Sequence, residues 1–155
     1  MKPTTSEPRE TSDRELPALL QRSAEPVVVE SHHAGWEKPW RGLSAQAWRE
    51  LSREFGERVE GAVVETGKNR ELATRYGLEI IPTVLVFHRG EVVARFTGTV
   101  RVTDVIEAVH VAQHRARTLE SARQELEAVS PSKGVLSPMR SILRRRTSTE
   151  HALAG

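Results

Sequence analysis

The sequence of 155 residues contains no cysteine. That absence removes disulfides, thiolate nucleophiles and cysteine-ligated zinc, and it gives no firm indication of compartment. Aromatic residues make up only 5% and hydrophobic residues 37%. Both are lean for a chain packed wholly in one core, so the composition predicts polar tails around a smaller body. No apolar run is long enough to span a bilayer, and the polar start Met1-Lys2-Pro3-Thr4-Thr5 lacks the apolar core of an export signal. The default expectation is therefore a cytoplasmic protein without a transmembrane segment. Strong net charge is missing as well. The formal charge is +2, and Lys133, Arg140, Arg144, Arg145 and Arg146 against Glu150 gather positive charge at the end of the chain. The remainder is slightly acidic, which disfavours nucleic acid as a partner of the body.

What is present falls into alternating strand and helix patterns. Residues 1–14 are rich in Pro, Ser, Thr and Glu without periodicity and are expected to be disordered. Leu16, Leu19 and Leu20 stand at helical spacing, with Pro17 tolerable in a first turn. Val27-Val28-Val29 and Ala62-Val63-Val64 read as strands covered on both faces. Between them Leu43, Ala47, Trp48, Leu51 and Phe55 mark one helix face, closed by Gly56. Asn69 is placed to cap a short helix carrying Leu72, Ala73 and Tyr76, with Gly77 as its left-handed stop. Thr83 to Thr97 then reads as an antiparallel hairpin turning at Arg89-Gly90, and Pro82 must begin its first strand because it cannot donate to the ladder.

The last helix starts near Thr103 and shows apolar steps of three and four through Val105, Val109, Ala112, Ala116, Leu119, Ala122, Leu126 and Val129. It is longer than a sheet-covering helix needs. Two readings stay open: a helix that frays or bends back past Arg115, and a seam for self-association. Residues 131–155 form a basic tail expected to be disordered, with Ile142, Leu143, Arg144, Arg145 and Arg146 as a candidate docking element. The tail has three conceivable uses: contact with an acidic polymer or anionic membrane surface, docking to a protein partner or shell, and phosphorylation at Thr147 or Ser148.

Tyr76-Gly77, Ile81-Pro82-Thr83, Phe87, Gly90-Glu91 and Gly98, all in register, resemble the thioredoxins. The likeness runs from about Phe55 to Val109 and extends back toward Pro26. It implies a thioredoxin-like three-layer α/β/α sandwich with a mixed sheet over residues 15–115, an extended final helix over 116–130, and a cis peptide before Pro82. The family carries Trp-Cys-Gly-Pro-Cys-Lys after the central strand, where Trp36-Glu37-Lys38-Pro39-Trp40-Arg41 stands here. Aligned on the proline, Glu37 and Trp40 take the cysteine places; aligned without the extra loop residue, Trp36 and Pro39 do. Either way both sulfurs are gone, and the expectation is a chain that is not an enzyme, with no cofactor and no metal.

Glu30 falls where thioredoxins keep a buried acid, while the lysine that often accompanies that acid falls at Val63. A buried carboxylate without a cation should have a raised pKa, and a structural role is favoured over a catalytic one. His32-His33, with Glu37 nearby, would bring a metal site only to three ligands; His110 and His114 share a helix face without a third. Trp36 and Trp40 either plug the vacated site or, with Glu37, Pro39, Ile81, Pro82 and Gly98, form a partner-binding surface. In thioredoxins the loop before the cis proline pairs with the substrate backbone, which needs no sulfur. The resulting expectation is a redox-inactive binding module, such as an assembly factor, chaperone-like adaptor or scaffold, that docks a peptide or protein partner. The alternative is a non-catalytic subunit of a redox enzyme system.

Overall fold

The structure is a computed structural model and describes residues 7–34 and 42–129. The chain divides into two compact units, residues 1–115 and 116–155. In the first unit the elements follow one another as β1 (Arg9–Thr11), α1 (Glu15–Arg22), β2 (Val27–His32), α2 (Ala45–Phe55), a 3-10 turn (Gly56–Arg58), β3 (Glu60–Glu65), α3 (Arg70–Tyr76), β4 (Thr83–His88) and β5 (Glu91–Thr97). Helix α4 (Val102–Val129) begins in this unit and continues into the second.

Side-chain alternation along the central strands explains the layers. Successive strand residues point to opposite faces. Val27 and Val29 of β2, Ala62 and Val64 of β3, and Leu85 and Phe87 of β4 enter one core. Leu16, Leu19 and Leu20 of α1 and Leu72 and Ala73 of α3 complete it. Val28, Val84 and Val86 enter the other core, closed by Trp48, Leu51 and Phe55 of α2 and by Val105 and Val109 of α4. Both faces of β2 and β4 are thus dry, as their unbroken apolar runs require.

Strand order is β1-β3-β2-β4-β5. The pairs β1·β3 and β2·β3 are parallel, while β2·β4 and β4·β5 are antiparallel. The mixed sheet and the helices on both faces agree with the expected sandwich. The hairpin turns through Arg89 and Gly90, both at positive φ (53° and 81°), the combination that matches the twist of a two-residue connection. A bulge lies between Val86 and Phe87.

The amino-terminal region departs from expectation. Residues 1–6 lie outside those described, but Arg9, Glu10 and Thr11 pair with Ala62, Val63 and Val64 as an edge strand instead of being disordered. Three residues held through main-chain hydrogen bonds leave no side-chain pattern to read. The helix cap differs for a related reason. The Asn69 side chain makes no capping bond to α3; its Oδ1 accepts the Asp13 N–H at 3.0 Å and its Nδ2 donates to the Glu65 carbonyl at 2.9 Å. Asp13 supplies the cap instead, its Oδ1 accepting the Leu72 N–H at 3.0 Å across 59 positions of sequence. An orphan helix donor is satisfied either way.

The second unit contains the end of α4, where Leu119, Leu126 and Val129 are exposed and Arg123 pairs with Glu127 at 3.3 Å. Across the described residues no helix is long and apolar enough to cross a membrane.

Gly61 on β3 marks the tightest packing of helix on sheet. A Cβ there would lie 2.8 Å from Trp48 Cζ3 and 3.4 Å from Pro8 Cβ. Trp48 is itself buried and cannot swing aside. Gly61→Ala is expected to lower unfolding free energy by ~1–3 kcal/mol through overpacking, read from the midpoint of a urea titration; an unchanged midpoint would contradict the packing described.

Candidate functional site

The loop from Gly77 to Pro82 leaves α3 through a left-handed residue, Gly77 at φ 63°. Arg95 of β5 donates from Nη1 to the Gly77 carbonyl at 3.3 Å and from Nη2 to the Tyr76 carbonyl, tying the helix end to the hairpin. Leu78 is fully buried, whereas Ile80 is 60% exposed. The Ile81–Pro82 bond is cis, as the resemblance implies. The loop closes with three hydrogen bonds. Thr83 N–H donates to Ser31 Oγ at 2.9 Å, Thr83 Oγ1 donates to the Ile80 carbonyl at 2.5 Å, and Gly98 N–H donates to the Pro82 carbonyl at 3.1 Å. The end of β2, the start of β4 and the end of β5 thereby hold one corner.

Of the residues singled out from sequence, Pro82 and Gly98 are brought into direct contact, and Ile81 stands half-buried at the cis bond. Trp36, Glu37, Pro39 and Trp40 lie outside the described residues, as do Ile142, Leu143, Arg144, Arg145 and Arg146. Ser31 is the partner at this corner that sequence reasoning missed, and Thr83 was noted only within the Ile81-Pro82-Thr83 likeness. Both are buried. Their only signal was a hydroxyl at the end of an apolar strand on one side and after the proline on the other.

Glu30 precedes Ser31 and is half-buried opposite Val63. Its Oε2 accepts the Leu43 N–H at 2.5 Å, and the bare Cα of Gly42 makes room, since a Cβ there would sit 2.8 Å from the same oxygen. Desolvation raises its pKa from 4.5 to about 7, against the lowering effect of the Leu43 hydrogen bond. Burial disfavours the charged form.

A second carboxylate does the reverse. Glu65 Oε1 accepts the N–H groups of Ala34 (3.1 Å) and Gly67 (3.2 Å), and Oε2 accepts that of Lys68 (2.8 Å). The Ala34 hydrogen bond is the largest cause of a lowered pKa. This residue, also unremarked in the sequence, joins the end of the loop after β2 to the turn before α3.

The histidines are occupied otherwise. His32 Nε2 lies 4.0 Å from Glu10 Oε1, His33 Nδ1 is 2.8 Å from the Ala34 carbonyl oxygen, and His110 Nε2 is 2.8 Å from Glu54 Oε1 with its ring 4.7 Å from that of Phe55. Among the described residues there is no group of three or more His, Asp or Glu side chains arranged to hold a metal ion.

A family model described as thioredoxin matches residues 7–111. The chain belongs to the thioredoxin family. It is 34% identical over 76 residues to a thioredoxin of Bacillus subtilis, covering 49% of this chain and 72% of that protein. To the chloroplastic thioredoxin Y of Oryza sativa it is 28% identical over 99 residues, 64% of this chain and 58% of that protein; the match spans little more than half of the rice protein's length. Among solved structures, an N21Q mutant thioredoxin from Halobacterium salinarum superposes with a TM-score of 0.60 at 19% identity, covering 72% of this chain and 96% of that one. The thioredoxin of Fasciola hepatica gives 0.57 at 26% identity, covering 67% and 98%.

These relatives correct the expectation that the chain is not an enzyme. The proteins it matches are thioredoxins, a family of redox enzymes. The missing cysteine removes the thiolate from this chain's own side chains, which bears on one reaction and not on catalysis in general.

Two outcomes test the corner. Ser31→Ala leaves the buried Thr83 N–H without an acceptor and should lower stability by ~1–3 kcal/mol in urea titration; a smaller change would mean that this bond does not hold the corner. For Glu30 the folded-state pKa lies above the ordinary value, so its contribution is fully present below pH 4.5 and is lost as pH rises through about 7. Glu30→Gln keeps an oxygen acceptor for Leu43 and removes the titration. The stability of the variant relative to wild type should therefore rise over that interval, by on the order of 3 kcal/mol, as followed by thermal melts at stepped pH.

Proposed function

We propose that this thioredoxin-family domain is a binding module that docks an extended apolar segment of a protein partner at the corner made by Ile80, Ile81, Pro82 and Gly98. The observation that carries this reading is Ile80, a large aliphatic side chain 60% exposed on a loop anchored by buried Leu78 and by the hydrogen bonds of Thr83 and Gly98. An apolar group held out to water on a fixed backbone has its ordering cost met before any partner arrives, which favours affinity. Strand-like docking draws its energy from main-chain groups and its selectivity from the side chains alongside. Neither depends on sulfur. Such a module serves as an assembly factor, adaptor or scaffold.

Trp36, Glu37, Pro39 and Trp40 join the same surface on the family resemblance, where the loop after the central strand faces the proline. Indoles are over-represented among the residues that dominate binding energy.

The test is retention of an array of extended, apolar peptides on the immobilised full chain. Ile80→Asp should weaken retention by about tenfold or more, equivalent to roughly 1.4 kcal/mol, with an unchanged circular dichroism spectrum. Trp36→Ala combined with Trp40→Ala should act in the same direction. Peptide retention indifferent to Ile80→Asp would refute docking at this corner.

A further inference from the structure

Helix α4 continues past Arg115 to Val129, and this later part carries an apolar seam that a single copy leaves in water. Leu119 is 66% exposed and Leu126 71%, with Val129 exposed as well. Arg115, Leu119, Ala122, Leu126 and Val129 follow one another in steps of four, three, four and three. That alternation repeats every seven residues and keeps one stripe of a helix turned toward a neighbouring helix. Helices of ordinary length owe most of their stability in water to the packing of such a face.

The order of sizes and charges along the seam selects what covers it. A two-fold axis passing between Glu120 and Ser121 sets two copies of α4 side by side in opposite directions. Leu119 of each copy then lies level with Ala122 of the other, so a large side chain meets a small one twice. Leu126 lies level with Arg115 and packs along its methylene stem, while the guanidinium reaches out to the flank. Glu125 borders the seam on that same flank. Its position in the second copy is one residue from level with Arg115, about 1.5 Å along the axis. On the other flank Arg123, which pairs with its own Glu127 at 3.3 Å, stands two positions from Glu120 of the second copy. A guanidinium has five N–H donors, enough to meet both acids. A parallel pair does the reverse. Arg115 would meet Arg115 and Ala122 would meet Ala122, which puts like charges in one layer and a void in another.

We infer that α4 beyond Arg115 pairs antiparallel with the same stretch of a second copy of this chain, Leu119 packing on Ala122 and Arg115 facing Glu125. The contact is isologous, the commonest form of homodimer interface. Apolar burial along the seam supplies the attraction, and the opposed charges set direction and register. The pairing uses no residue of the Ile80–Pro82 corner.

Sedimentation velocity of the full chain over a concentration series tests this. Wild type should show a monomer–dimer equilibrium. Leu119→Glu places an acid in the middle of the seam and should raise the dimer dissociation constant at least about tenfold. Arg115→Glu confronts Glu125 with a second acid and should raise it about fivefold or more; adding Glu125→Arg should recover dimerisation. Arg115, Leu119 and Glu125 are all exposed in one copy, so circular dichroism should show every variant folded. Val93→Arg, on β5, should leave the dimer intact. A wild-type monomer at every concentration overturns the inference. So does a dimer that survives Leu119→Glu, an Arg115→Glu variant that dimerises like wild type or is not rescued by Glu125→Arg, or a dimer lost only in Val93→Arg.

Discussion

The middle of this sheet is dry on both sides, and that constraint decides what can stand in it. β2 and β4 send valines, a leucine and a phenylalanine alternately into two cores. Backbone groups there find partners in the ladder; a polar side chain must find one of its own or cost roughly 1–3 kcal/mol. Ser31 and Thr83 meet this demand jointly, the hydroxyl of one taking the N–H of the other. Because they sit where β2 ends and β4 begins, satisfying a buried hydrogen bond also fixes the backbone just before β4. The corner at Ile80–Pro82 follows from core packing, with no separate scaffold to hold it.

Sequence patterns conveyed the parts of the fold written in side chains. The valine runs, the helical spacing from Leu43 to Phe55 and the Arg89-Gly90 turn each correspond to an observed element. What stayed hidden was written in main chain or across long distances. β1 has no alternation to detect, and Asp13 caps α3 from a distant stretch that reads as disordered. Asn69 carried the right residue type for a cap and was used elsewhere, between Asp13 and Glu65. In the site, Pro82 and Gly98 were legible because a proline before an apolar run and a glycine after one mark backbone requirements. Ser31 and Glu65 were not, because nothing local shows that a hydroxyl or carboxylate will meet a backbone N–H from another segment.

Family membership and the missing sulfur bear on different layers of the molecule. The matched region, residues 7–111, is the part that builds the sheet, its covering helices and the cis-proline corner. The chain contains no cysteine, and the packing of these elements does not draw on one. Glu30 illustrates the remainder. Its carboxyl stands opposite Val63 in register and takes the Leu43 N–H, so it contributes to the junction between β2 and the residues leading into α2.

Glu65 places a different kind of limit on the chain. One side chain receives three backbone N–H groups, from Ala34, Gly67 and Lys68, so its geometry is shared between two loops that are far apart in sequence. Aspartate is a methylene too short to span them, and glutamine exchanges one acceptor oxygen for an amide that would confront an N–H. Few positions in a protein of this size accept so narrow a choice of residue while lying outside any core. Variation among close relatives should accordingly be scarce here.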